Sequence, residues 1–232
     1  MKLNIKEISI AKIFKYRYQR YYEQKFKINV LNRLFFGKIA PQHKERIWIK
    51  TLNCTRATLV REDRSFGRNY SGTVRSGNWD QRTENLYNLT KIKSCFEHWV
   101  NGVPWNKTES FQEIKESYES GENYIDNIRT LNDLQARYRK LDIIFNEIKD
   151  DDYLKTSSKL GFPEDGLEHN GIYFHIDRNG NPIFAHAGNH RLAIALILEI
   201  PYIPAQVGIV HPDGLKHYGK LKDKSFDSNT TS

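Results

Sequence analysis

The sequence predicts an α+β domain, a small mixed sheet with flanking helices, preceded by a helical N-terminal extension. Three observations carry that prediction. "GIYFHIDRNGNPIFAHA" (Gly171–Ala187) alternates apolar and polar residues on both sides of Asn179-Gly180, a pair that tolerates positive φ, and so reads as a hairpin. "LAIALIL" (Leu192–Leu198) is apolar on nearly every side, as a buried helix is. "YIPAQVGIV" (Tyr202–Val210) then returns to extended, β-branched sequence.

Taken in order, residues 1–44 read as a basic amphipathic extension, 45–220 as one folded body and 221–232 as a frayed polar tail. In the extension Ile10, Ile13, Phe14, Tyr18, Tyr21 and Tyr22 recur at three- and four-residue spacing, which puts them on one helical face. A second apolar segment, Val30–Lys38, has a C-terminal stop at Gly37. The body opens on "ERIWIKTL" (Glu45–Leu52), where Ile47 and Ile49 alternate with Trp48 and Lys50 like a half-buried strand. "SGTVRSGNWD" (Ser71–Asp80) is rich in turn residues, with a short extended piece around Val74. Helices are expected over Lys91–Val100, Glu109–Ser120 and Asn132–Lys149, the second opened by Thr108 in a near capping-box pattern.

Composition narrows the function classes. With 232 residues, 38% hydrophobic and 12% aromatic, the chain can fill a core and is not a disordered protein. Cys54 and Cys95 have no metal-ligand or CxxC spacing, which suits a reducing compartment. No apolar run reaches the roughly 18 residues of a membrane span and no signal-peptide pattern opens the sequence, so a cytoplasmic protein is expected. The net charge is +8, and residues 1–38 carry all of it, ten Lys and Arg against Glu7 and Glu23. The body is therefore neutral, which speaks against duplex binding, since that needs a basic face. A basic, aromatic, amphipathic extension fits either a helix lying on an anionic membrane surface or a helix packed on its own domain with its basic face in water.

Directly ahead of the apolar helix stand Gly188, Asn189, His190 and Arg191. A helix start leaves backbone N–H groups free, and its dipole favours an anion by about 0.3–2 kcal/mol. Gly188 lets an anion approach the backbone, Arg191 offers a forked cationic donor and His190 another donor. The quartet is thus a phosphate cradle, or else Asn189 simply caps the helix while His190 and Arg191 bond to nearby carboxylates.

Hairpin, Gly-x-His-Arg, apolar helix and "IPxxV"-type strand together resemble the ParB/sulfiredoxin-like superfamily over about forty residues. Sulfiredoxins carry Gly-Cys-His-Arg here, and ParB-like free-serine kinases carry Asp-Gly-His-His-Arg. The resemblance implies that Gly188, Asn189, His190 and Arg191 hold nucleotide phosphates, of ATP or another nucleoside triphosphate with Mg²⁺. More loosely, "ERIWIK", "SGNWD", "WVNGVPWNKT" and "RYRKLDIIFNEI" look like a glycan-associated ParB-like group. Asn189 stands where sulfiredoxin needs its cysteine, which excludes that chemistry. The 22 residues after Val210 are too few for a helix-turn-helix reader, which speaks against a partition role. Ala187 replaces the kinase acidic residue ahead of the glycine, so a carboxylate must come from elsewhere.

Asp80 is the first such candidate, presented by the Gly77-Asn78 turn, and Asp142 the second. For Asp142, three residues after Arg139, an intrahelical ion pair is the competing reading. Trp79 could offer its face to a sugar or base, or lie in the core, and Arg75 could contact phosphate. His175, Asp177, His186, His190 and His211 have no zinc-motif spacing, so the metal ligands stay unassigned. The expected function is a nucleotide-dependent phosphotransferase acting on a sugar, glycan or glycolipid hydroxyl, with Asp80, Asp142 and His190 as catalytic candidates. Peripheral attachment to an anionic membrane through residues 1–38 would go with it. The alternative is a ParB-like nucleic-acid-binding protein or nuclease.

Overall fold

One mixed sheet of six strands organises the body, in the order β1-β6-β4-β5-β2-β3. The structure, a computed structural model, describes residues 22–60, 63–121, 128, 130–162 and 166–222. The helical face expected over Ile10–Tyr21 and the tail beyond residue 222 lie outside the described residues. β1 (Arg46–Lys50) runs antiparallel to β6 (Tyr202–Val210), from Arg46 opposite Gln206 to Lys50 opposite Tyr202. β6 is parallel to β4 (Ile172–Ile176), and β4 forms a hairpin with β5 (Pro182–Phe184). β5 pairs in parallel with β2 (Arg56–Thr58), which in turn pairs with β3 (Thr83–Asn85). β2 and β3 have three residues each, too short for alternation to mark them in the sequence.

The helices are α1 (residues 22–36), α2 (Thr90–Trp99), α3 (Glu109–Glu119), α4 (Leu131–Asp151), α5 (Asn189–Ile197) and the short α6 (Leu215–Tyr218). Ile47, Ile49, Ile172, Phe174, Ala205 and Val207 face α2 and α5 in the main core. Ile183 and Ile209 face the other way, where the irregular segment holding Val60, Phe66 and Trp79 covers them. Both faces are therefore closed, and β1 is not half-buried as its alternation suggests: Trp48 is only 6% exposed. A strand covered on both sides leaves no solvent face for polar residues to mark.

Local differences have local causes. The hairpin connection spans residues 177–181, with positive φ at Gly180 (82°) but not at Asn179. The Asp177 carboxylate accepts from Asn179 N at 2.8 Å and Asn181 N at 2.7 Å, so a side chain closes the turn. Thr108 does not form the capping box, because its hydroxyl donates back to the Trp105 carbonyl at 2.7 Å. The extended piece at Val74 is a single bridge to Val210. Gly188 has φ +88°, and a Cβ there would lie 2.8 Å from Ile172 Cα. Glycine is what allows α5 to start directly on the first residue of β4.

Candidate anion-binding site

α5 begins without a side-chain cap, since Gly188 has none to give and the Asn189 amide turns away to donate to the His186 carbonyl at 3.0 Å. The first helical bond is Leu192 N to Gly188 O at 3.0 Å. The backbone N–H groups of Asn189 and Arg191 have no acceptor among the described residues. His190 sits half-buried on the same turn. The capping role considered for Asn189 is thus not the one it plays.

Arg191 donates through Nη2 to the Asn170 carbonyl, and its Nε and Nη1 have no acceptor among the described residues. The neighbouring carbonyl, Gly171, takes a hydrogen bond from Arg68, whose other terminal nitrogen donates to Gln206 Oε1. The Arg68 guanidinium lies 5.2 Å over the Tyr173 ring. Gln206 is fully buried, and its Nε2 lacks a partner among the described residues. A third guanidinium, Arg46, donates from Nε to Glu168 Oε2 at 2.9 Å and from Nη2 to the Leu167 carbonyl at 3.0 Å. Glu168 is 1% exposed and also accepts from Ser157 N.

Three guanidinium groups therefore gather around residues 167–171, and the carboxylate among them, Glu168, is in direct contact with Arg46. Burial lowers the pKa of both Arg68 and Arg191; Tyr173 offsets this at Arg68, where Arg191 then lowers it further, and Glu168 offsets it at both. Both keep their charge, because arginine does not deprotonate in proteins. Burial raises the Glu168 pKa, against the pull of Arg46.

The other predicted site residues lie elsewhere. Asp80 is held by a bidentate ion pair with Arg178, Nε to Oδ2 and Nη2 to Oδ1 both at 2.7 Å, and these bonds keep its carboxyl below the usual range. Arg178 follows β4, so Asp80 sits at the opposite end of that strand from Gly188, about 20 Å along it. Asp142 accepts at one oxygen from His98 Nε2 (3.1 Å), Trp99 Nε1 (3.0 Å) and Trp105 Nε1 (3.0 Å). That cluster links α2 to α4 and replaces the ion pair considered with Arg139. Trp79 is a core residue, 6% exposed, with Nε1 on the Arg75 carbonyl at 3.0 Å. Arg75 stacks 4.6 Å over Phe66 and donates to Ser65 Oγ at 2.8 Å. None of these four joins the quartet.

Arg46, Arg68 and Glu168 were missed in the sequence because they converge from segments more than 20 residues apart, and no spacing rule links them. Among the described residues, no group of three or more His, Cys, Asp or Glu is placed to hold a metal ion. No helix among them is long and apolar enough to cross a membrane. Compared with known proteins, the chain matches no family model, no curated protein and no solved structure. The likeness to the ParB/sulfiredoxin superfamily rests on the motif residues alone.

Proposed function

We propose that the chain binds nucleotide phosphates at the front of α5 and transfers a phosphoryl group to a hydroxyl of a sugar, glycan or glycolipid. The observation that supports the phosphate half is the cationic excess of Arg68 and Arg191, both half-buried, with Glu168 already bonded to Arg46. A partly desolvated charge without a direct counter-ion costs free energy, and an oxyanion between the two forks would offset it. The uncapped N–H groups of α5 add to the same field.

In this reading the γ-phosphoryl group passes to the acceptor oxygen, the nucleoside diphosphate leaves, and His190 takes the acceptor's proton. Asp80 and Asp142 have no part in it, because both are bonded at other places in the fold. Mg²⁺ would be held chiefly by phosphate oxygens, as is usual where one or two protein carboxylates suffice. The acceptor class rests on the motif resemblance. Peripheral attachment at the inner face of a membrane would bring the domain to lipid-linked acceptors.

ATP·Mg²⁺ should raise the melting temperature of the wild type, by linkage to the folded state. Arg191→Ala should remove that rise and reduce kcat/KM by a factor on the order of 10²–10⁴. A wild type that ATP·Mg²⁺ leaves unshifted, but that retains DNA in a salt-sensitive gel shift, would overturn the proposal in favour of a nucleic-acid protein.

A further inference from the structure

Helix α1 faces the wrong way for a helix packed on its own domain. Such a helix normally turns its apolar stripe to the core and its polar side to water. Here the inward contacts are Phe36, which packs on the main core, and two amides: Asn29 Oδ1 accepts from His43 N at 2.8 Å, and Asn32 Nδ2 donates to the Pro41 and Gly72 carbonyls at 2.7 Å each. Asn32 is 6% exposed. The outward residues are greasy, with Phe26 70%, Leu31 50%, Leu34 74% and Phe35 74% exposed, followed by Ile39 at 51%. At about 100° per residue these four helical positions share one arc of roughly half a turn. Lys27, Arg33 and Lys38 are exposed within or beside it.

We infer that this face is a docking surface for an anionic lipid bilayer. A contiguous apolar patch rimmed by polar groups marks an interaction site. Charge chooses the occupant. Pairing two copies through α1 would set the cations Lys27, Arg33 and Lys38 of one copy against the same set on the other, with Glu23 the only acid in residues 22–38 to offset them. A phospholipid surface meets both needs: acyl chains receive Phe26, Leu34 and Phe35, and anionic headgroups receive the cations. Residues 1–21 add six Lys and Arg against one Glu, and the rest of the chain beyond residue 38 is neutral. The two asparagine latches fix the helix to the loop at Pro41–His43 and to Gly72, so the domain is carried at a set orientation to the surface.

This inference gives a surface to the membrane attachment proposed above and rests on that part of the reading; it is independent of the phosphate site, and its test uses no nucleotide. The full chain is sedimented with vesicles of phosphatidylcholine alone and with vesicles that also contain phosphatidylserine. The wild type should pellet with the anionic vesicles and be released by salt. Replacing Lys27, Arg33 and Lys38 by Gln should weaken partitioning on the order of a hundredfold. Replacing Phe26, Leu34 and Phe35 by Ser should weaken it at least about tenfold, with an unchanged melting temperature, since all three are exposed. A wild type that stays in the supernatant overturns the inference, as does a Ser variant that still pellets normally. So does a wild-type dimer that the Ser substitutions convert to monomer, which would make a second copy the occupant.

Discussion

As the pH falls from about 6 towards 4, two histidines alone should cost the fold about 2–3 kcal/mol of stability per pH unit. His175 is fully buried and accepts from Ile209 N at 3.0 Å on Nδ1, which makes it neutral with its proton on Nε2. Nε2 has no hydrogen-bond partner among the described residues, and the Phe66, Trp79 and Tyr173 rings lie 5.3–5.7 Å away. Burial pushes the His175 pKa down from 6.5 to about 3, helped by His186 and Arg75. His43, 1% exposed and 2.9 Å from the Ser71 carbonyl, is pushed down to about 4, also by burial first. The unfolded chain protonates both near pH 6.5 and the folded chain does not, so the unfolded state binds more protons and gains as pH falls. Each group then contributes about 1.4 kcal/mol per pH unit until the folded pKa is reached. Glu168 acts in the opposite sense, because burial raises its folded pKa. Asp80, lowered by Arg178, adds a further loss below pH 3.8. Denaturant unfolding of the wild type, His43→Gln and His175→Gln across this range separates these terms. Each substitution should reduce the linked proton uptake by about one; slopes identical to wild type would contradict the assignment.

Removing the Glu168 carboxylate should cost about 3–5 kcal/mol, the range for breaking a buried ion pair from one side. Arg46, 9% exposed, would keep its charge and its bonds to the Leu167 carbonyl and Ser158 hydroxyl but lose its bonded carboxylate. In Glu168→Gln one amide oxygen replaces the two acceptors that Arg46 and Ser157 N now share. The three guanidinium groups would then lose the one carboxylate that the described residues place among them. Inorganic pyrophosphate should therefore raise the melting temperature of Glu168→Gln more than that of wild type. Equal shifts in the two proteins would mean that the arginines do not share one anion.

The hairpin, α5 and β6 were legible because each carries a local signal: extended sequence on both sides of Asn179-Gly180, the apolar run Leu192–Leu198, and the nine extended residues of β6, which runs over Tyr202–Val210 as expected. α2, α3 and α4 match their periodicity to within two residues at each end. Other features were set by tertiary contacts. The Trp79 and Asp80 pair looked like a cleft rim because Gly77 and Asn78 make a turn, yet the turn folds inward onto His175 and Arg178. Asp142 looked like half of an i,i+3 pair, but two indoles and an imidazole from α2 and the loop after it claim its oxygen. The quartet at α5 was visible as a motif, whereas Arg46, Arg68 and Glu168 become its neighbours only once β1, the Gly67 turn and β4 converge. The inverted polarity of α1 could not be read either, since a wheel shows two faces and not which one is turned inward.

Calorimetric titration of ADP·Mg²⁺ into wild type, Arg68→Met, Arg191→Met and Asp80→Asn tests the central claim most directly. The account predicts measurable binding to the wild type, weakened by about tenfold or more in each arginine variant, as loss of a charge-assisted hydrogen bond implies. It also predicts unchanged affinity in Asp80→Asn. Binding that ignores both arginines, or that depends on Asp80, would contradict it and move the phosphate site away from the front of α5.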